Sequence, residues 1–148
     1  MRVRPIQRAD RSAWLQMRKA LWPDARSDSL VAEVDRFFMG TLLEPEEVLV
    51  AERHGRLVGF AELSVRPFAE GCDSGRVGYL EGWWVAPDVR RKGVGRALIH
   101  ASELWARDQG CTEFASDSSL GNEDGRRAHE ALGFREMGRL VCFAKRLD

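Results

Sequence analysis

The chain has 148 residues, the length expected of one domain (1–148) and enough to bury a substantial core. Lys and Arg together number 23 and balance 23 Asp and Glu, so the formal net charge is zero. That balance excludes the strongly basic class that lives on nucleic acid, and no nucleic-acid partner is expected.

Arg2 to Gln7 reads as a short first strand. Asp10 sits where an N-cap would start a helix from Arg11 to about Trp22, with Trp14, Leu15, Met17, Leu21 and Trp22 on its apolar face and Pro23 as its stop. A second helix starts at Ser27 or Asp28, carries Leu30, Val31, Val34, Phe37 and Phe38 at helical spacing, and ends at Gly40. Glu46 to Arg53 and Arg56 to Arg66 read as the arms of a hairpin around His54-Gly55. Residues 67–78 have three glycines and no periodicity, which makes them a candidate binding loop. A central strand, Tyr79 to Val85, leads into a glycine-bearing loop and an amphipathic helix that runs to about Gln109 and is capped by Gly110. Thr112 to Asp117 is a short strand, Asn122 to Leu132 a helix ended by Gly133, and Phe134 to Met137 and Leu140 to Arg146 are closing strands. This order predicts a mixed α/β (α+β) domain.

No apolar run approaches the length of a membrane span, so no membrane partner is expected. The start, MRVRPIQRAD, lacks the apolar core of a signal peptide, and a cytoplasmic location follows as an expectation. Cys72, Cys111 and Cys142 are odd in number and have no metal-ligand or redox spacing, so they read as free thiols and no metal is expected.

The stretch that carries chemistry is Val85 to Leu98, VAPDVRRKGVGRAL. Two glycines let the backbone approach a bulky group, and the following helix offers unpaired N–H groups and a positive dipole end. Arg90, Arg91, Lys92 and Arg96 add charge, so the ligand expected there is a pyrophosphate. A Walker loop needs Lys-Ser or Lys-Thr after its second glycine, where this chain has Arg96-Ala97. A dinucleotide fingerprint needs three glycines, and here there are two.

What remains is Arg-x-x-Gly-x-Gly, formed by Arg90, Gly93 and Gly95 after a strand ending Val-x-Pro. This resembles the acetyl-CoA loop of the GCN5-related N-acetyltransferases (GNAT), whose element order the chain matches along essentially its whole length. The resemblance implies a central sheet splayed apart between the strand before this loop and the strand after its helix, with acetyl-CoA as cosubstrate wedged into the gap. It carries the cofactor role to Trp84 and Val85 on the splayed strand, to Arg90, Arg91, Lys92, Gly93, Val94, Gly95 and Arg96 in the loop, and to Asn122. A backbone N–H near Trp84 or Val85 would polarise the thioester carbonyl.

A narrower resemblance rests on LWP at Leu21 to Pro23, GCDS at Gly71 to Ser74, YLEG at Tyr79 to Gly82, ASD at Ala115 to Asp117 and HEALGF at His129 to Phe134. These pieces are similar to the aminoglycoside 6'-N-acetyltransferases, a group whose members are often dimers paired through their C-terminal strands, so a homodimer is expected. The group's pattern places Trp22, Phe68, Asp73, Glu81, Asp117 and Glu136 toward the acceptor. The chemistry agrees, since a polycationic sugar calls for carboxylates and aromatic faces. Asp117 or Glu81 would take the amine proton, with Asp117 favoured; the alternative for Glu81, given less weight, is a structural ion pair with an arginine. Many relatives have a tyrosine acid in the last helix where this chain has His129, which either donates a proton to the departing thiolate or only packs. Two further readings stand beside this one: an acetyltransferase for a polyamine or protein amine, and a non-catalytic acyl-CoA sensor.

Overall fold

The computed structural model describes residues 1–148. Its strands are β1 (Arg2–Pro5), β2 (Glu47–Arg53), β3 (Arg56–Arg66), β4 (Val77–Val85) and β5 (Glu113–Ser116), and its helices α1 (Arg11–Leu21), α2 (Ser27–Met39), α3 (Val94–Asp108) and α4 (Glu123–Ala131). The strands form one mixed sheet in sequence order. Neighbours from β1 to β4 are antiparallel, and β5 runs parallel to β4, with α3 as the crossover.

The run Val48-Leu49-Val50-Ala51 explains why the sheet is covered on both faces. Successive side chains of a strand point to opposite sides, so a continuously apolar strand must be buried on both. Val48 and Val50 join Trp14, Leu15, Met17, Leu30, Val34 and Phe60 under α1 and α2. Leu49 and Ala51 join Val58, Ala61, Leu63, Leu80, Val94, Leu98 and Ile99 under α3.

A buried ion pair ties α1 to the sheet. Glu62 of β3 is 1% exposed and accepts from Arg18 Nε (2.8 Å) and Trp14 Nε1 (3.1 Å), while Arg18 also reaches the Leu30 carbonyl and Glu33. Burial pushes the Glu62 carboxyl up, and the carboxylate beside it holds the Arg18 guanidinium charged. The guanidinium lies 5.0 Å from the Trp22 ring.

Two irregularities prepare the site. In the β3–β4 register Glu62 faces Gly82 and Leu63 faces Leu80, so Glu81 is an extra residue, a β-bulge in β4. The β4–β5 pairing ends one residue earlier, at Leu80 opposite Ser116. From Glu81 to Val85, β4 therefore has a partner on one side alone, and the sheet is splayed there.

Two expectations are corrected. Asp10 precedes α1 but caps none of its N–H groups; its carboxylate accepts instead from Arg4 (2.7 and 3.0 Å) and from the Gln7 backbone N–H (2.8 Å), closing a short 3-10 turn. The closing strands at 134–137 and 140–146 do not form. Residues 135–148 are exposed and have no regular structure, with Val141 73% and Phe143 92% exposed. The continuous apolar run Leu140 to Ala144 suits a strand, but a strand needs a partner edge, and within the chain the sheet ends at β5.

Candidate active site

The loop between β4 and α3 makes the anion cradle that its residues predict. Arg91 (φ 61°) and Gly93 (φ 87°) are both left-handed, which turns the chain sharply into the helix. The first bond there runs from Ala97 N to Gly93 O at 3.0 Å, so the N–H groups of Val94, Gly95 and Arg96 have no intrahelical acceptor. Arg91, Lys92 and Arg96 are exposed around them. Arg90 is partly committed elsewhere, since its Nε donates to the Val85 carbonyl at 2.8 Å and pins the end of β4 to the loop. Gly95 is needed for a reason the motif does not reveal: a Cβ there would lie 3.0 Å from the Trp83 ring, so the missing side chain lets α3 sit on the splayed strand.

Alternation along β4 decides which backbone groups face the gap. Ala86 N donates to Val58 O of β3 at 2.8 Å, so the N–H groups of Trp84 and Gly82 also turn toward β3. Those of Val85 and Trp83 turn to the unpaired side. Of the two residues expected to polarise a carbonyl, Val85 has its N–H in the gap and Trp84 does not.

At the other end of the splayed segment, two side chains, Arg66 and Tyr79, link the two predicted carboxylates. Arg66, the last residue of β3, forks onto Glu81 with N···O distances of 2.9 and 2.6 Å. Its guanidinium carbon lies 3.7 Å from the centre of the Tyr79 ring. The Tyr79 hydroxyl donates to Asp117 Oδ2 at 2.5 Å. Burial, and then that hydrogen bond, push the phenol well above its ordinary value, so it stays a donor at physiological pH. The Glu81 carboxylate likewise raises the Arg66 guanidinium above its ordinary value. Trp22 packs on the next residue of the strand: its ring edge fills the space that a Cβ at Gly82 would take, at 2.8 Å.

These features have counterparts among known proteins. Residues 14–134 match the model of the acetyltransferase (GNAT) family. The chain belongs to this family. It is 49% identical over 146 residues to an aminoglycoside N(6')-acetyltransferase type 1 of Klebsiella aerogenes, covering 98% of this chain and 96% of that one. It is 41% identical to a protein of the same name from Stenotrophomonas maltophilia, covering 99% of this chain and 94% of that one. The crystal structure of an aminoglycoside 6'-N-acetyltransferase from Acinetobacter haemolyticus superimposes with a TM-score of 0.91 at 34% identity over the full length of both chains. A second solved structure, of the acetyltransferase AAC(6')-Iy in complex with coenzyme A, gives 0.89 at 34% identity, covering 99% of this chain and 95% of that one.

Against this acetyltransferase frame the remaining predicted residues divide. Glu81 and Asp117 come together around Arg66 and Tyr79, while Trp22 packs over Gly82, the residue after Glu81, and over Phe60 and Arg18. Phe68 is 67% exposed on the loop after β3. Asp73 lies in the same loop, and its backbone N–H donates to Glu113 at 3.0 Å. The Ser74 side chain and the backbone N–H groups of Ser74 and Asp73 hold the Glu113 carboxyl below the usual range, which fixes the loop to β5. Glu136 lines a cleft of about 900 Å3 together with Arg66, Tyr79 and Asp117, and pairs with Arg139 at 2.5 Å.

Two other residues are engaged within the fold. Asn122 caps α4, accepting from Gly125 N at 2.9 Å. His129 has both ring nitrogens occupied, Nδ1 2.6 Å from the Gly125 carbonyl and Nε2 2.8 Å from Ser116 Oγ. A carbonyl only accepts, so the proton sits on Nδ1 and, in the neutral ring, Nε2 accepts from Ser116. The imidazole also stands edge-on to Trp83 and Phe134. Sequence reasoning missed Arg66 and Tyr79. Arg66 gives no local signal, and Tyr79 stands out in the sequence only as part of the YLEG motif.

Proposed function

We propose that this protein is an aminoglycoside 6'-N-acetyltransferase, moving the acetyl group of acetyl-CoA directly to the 6'-amine of the antibiotic. The observation that carries the reading is the pair of carboxylates, Glu81 and Asp117, beside the open half of β4, in a chain 49% identical to a protein of that name. A structure similar to this chain, with a TM-score of 0.89 at 34% identity, holds a bisubstrate analogue of coenzyme A and monomethyl-acetylneamine. Acetyl-CoA supplies an activated acyl carbonyl and a thiolate leaving group.

The chain's own residues fit that cosubstrate. The free N–H groups of Val94, Gly95 and Arg96, with Arg91 and Lys92, hold the pyrophosphate. The indole Nε1 of Trp83, buried without a partner between β4 and α4, is a further donor that a group threaded into the gap would satisfy. The Val85 N–H donates to the carbonyl oxygen as negative charge develops on it. Asp117 removes the proton from the 6'-ammonium, directly or through one water, and the neutral amine attacks. Glu81 and Trp22 hold the sugar ammonium groups and ring. Both His129 nitrogens are occupied, so the residue braces α4 against Trp83, and the thiolate leaves without an acid from this helix.

The assembly proposed is a homodimer in which residues 134–148 of each protomer add a strand to the exposed β5 edge of the other. The free edge, the apolar run from Leu140 to Ala144 and the exposure of Val141, Phe143 and Leu147 support it. Three free cysteines suit a reducing cytoplasm.

The test is coenzyme A release from acetyl-CoA with kanamycin B, tobramycin, spermidine and a lysine peptide as acceptors. Release with the two antibiotics supports the assignment. Release with spermidine alone makes the protein a polyamine acetyltransferase, and tight acetyl-CoA binding with no release makes it a sensor.

A further inference from the structure

We propose that Arg66 determines which amines the site accepts, because its guanidinium already sits where the first substrate ammonium would bind. The proposal deepens the reading of this site as an aminoglycoside pocket and rests on it. A cation entering such a pocket seeks a carboxylate and an aromatic face. Arg66 holds both at once, forked onto Glu81 and 3.7 Å above the centre of the Tyr79 ring, with the Glu44 carboxylate 3.8 Å from its terminal nitrogen. The Glu81 side chain keeps 15% of its surface, and the cleft that exposes Arg66, Tyr79 and Asp117 does not include Glu81.

The two carboxylates are therefore unequal toward an incoming amine. Asp117 is held by a neutral donor, the Tyr79 hydroxyl, and forms no ion pair with a cationic side chain. Glu81 is neutralised by a two-point contact that one ammonium cannot match geometrically. A singly charged acceptor gains Asp117 and nothing more. An acceptor with several ammonium groups on a rigid frame can engage Asp117 with one while a neighbour, now at high effective concentration, competes with Arg66 for Glu81. Arg66 thus selects for acceptors with clustered positive charge, and its side chain, 32% exposed at the end of a strand, has room to move aside.

The experiment compares the wild type with Arg66→Gln and Arg66→Lys on two acceptors, kanamycin B and methyl 6-amino-6-deoxyglucoside, which carries a single amine. KM is read by coenzyme A release, and acceptor affinity by calorimetry. In the wild type the single amine is expected to have a KM about 100-fold or more above that of kanamycin B. In Arg66→Gln the gap should narrow by about tenfold, because the KM of the single amine falls. Arg66→Lys keeps the charge but loses the fork, so it should narrow the gap less, and it carries the test if the glutamine variant does not fold. An unchanged gap overturns the proposal. So does a rise of both KM values together, which would make Arg66 a residue that positions Glu81. Failure of wild-type protein to bind or acetylate kanamycin B is a separate result that removes the aminoglycoside reading itself.

Discussion

The 2.5 Å contact between Tyr79 and Asp117 makes the phenol a positioning residue for the carboxylate assigned as base. Asp117→Asn is expected to lower kcat by about 100-fold or more with acetyl-CoA affinity unchanged. Tyr79→Phe, which leaves the ring under Arg66 and removes only the donor, is expected to lower kcat by about tenfold. Steady-state kinetics with kanamycin B checks both, and full turnover in Asp117→Asn would remove that residue from the mechanism. The sequence reached Asp117, Glu81 and Trp22 through short motifs, since those residues lie within strings that resemble a known group. It did not reach Arg66 as the partner of Glu81 or Tyr79 as the partner of Asp117. Those pairs are 15 and 38 residues apart and meet only because β3, β4 and β5 are adjacent in the sheet. The ion pair weighed as an alternative role for Glu81 is present. That finding gives the carboxylate a cationic neighbour without excluding it from the acceptor site.

At the scale of elements, the glycine-bearing loop was legible because its chemistry is local. A left-handed Gly93, free N–H groups and basic neighbours all lie within a few residues. Gly95 was legible as a required glycine but not for its reason, because Trp83 lies on a different element. Gly95→Val should push the Trp83 ring, cost about 1–3 kcal/mol of stability and weaken acetyl-CoA binding, read by chemical unfolding and calorimetry. Normal affinity with normal stability would contradict the packing described. The Arg18–Glu62 pair had no sequence signal either, since each residue falls in an otherwise ordinary amphipathic pattern 44 residues from the other. Glu62→Gln leaves the Arg18 charge buried without its carboxylate and is expected to cost about 3–5 kcal/mol in urea unfolding. A loss below about 1 kcal/mol would mean that water or Glu33 takes over the role. Trp22 depends on this pair through the Arg18 guanidinium beneath its ring, so a rise in acceptor KM should accompany the loss.

The whole molecule shows where pattern reading reached its limit. The elements as far as α4, and a mixed sheet with helices on both faces, followed from apolar periodicity, which reports burial within the chain; the splay beside β4 came from the family resemblance. The C-terminal residues carry an apolar run, Leu140 to Ala144, yet lie exposed, because an apolar run does not say whose edge will cover it. Sedimentation at micromolar concentration is expected to give a dimer. Truncation after Phe134 should give a monomer, and an unchanged dimer in the truncated protein would place the interface elsewhere. The central claim is that the open half of β4 and the Glu81–Asp117 pair together acetylate a 6'-amine. Its most direct test is coenzyme A release with kanamycin B beside an aminoglycoside that has a hydroxyl in place of the 6'-amine. Turnover of the first and none of the second is the predicted result; equal turnover of both would show that another position is acetylated and contradict the account.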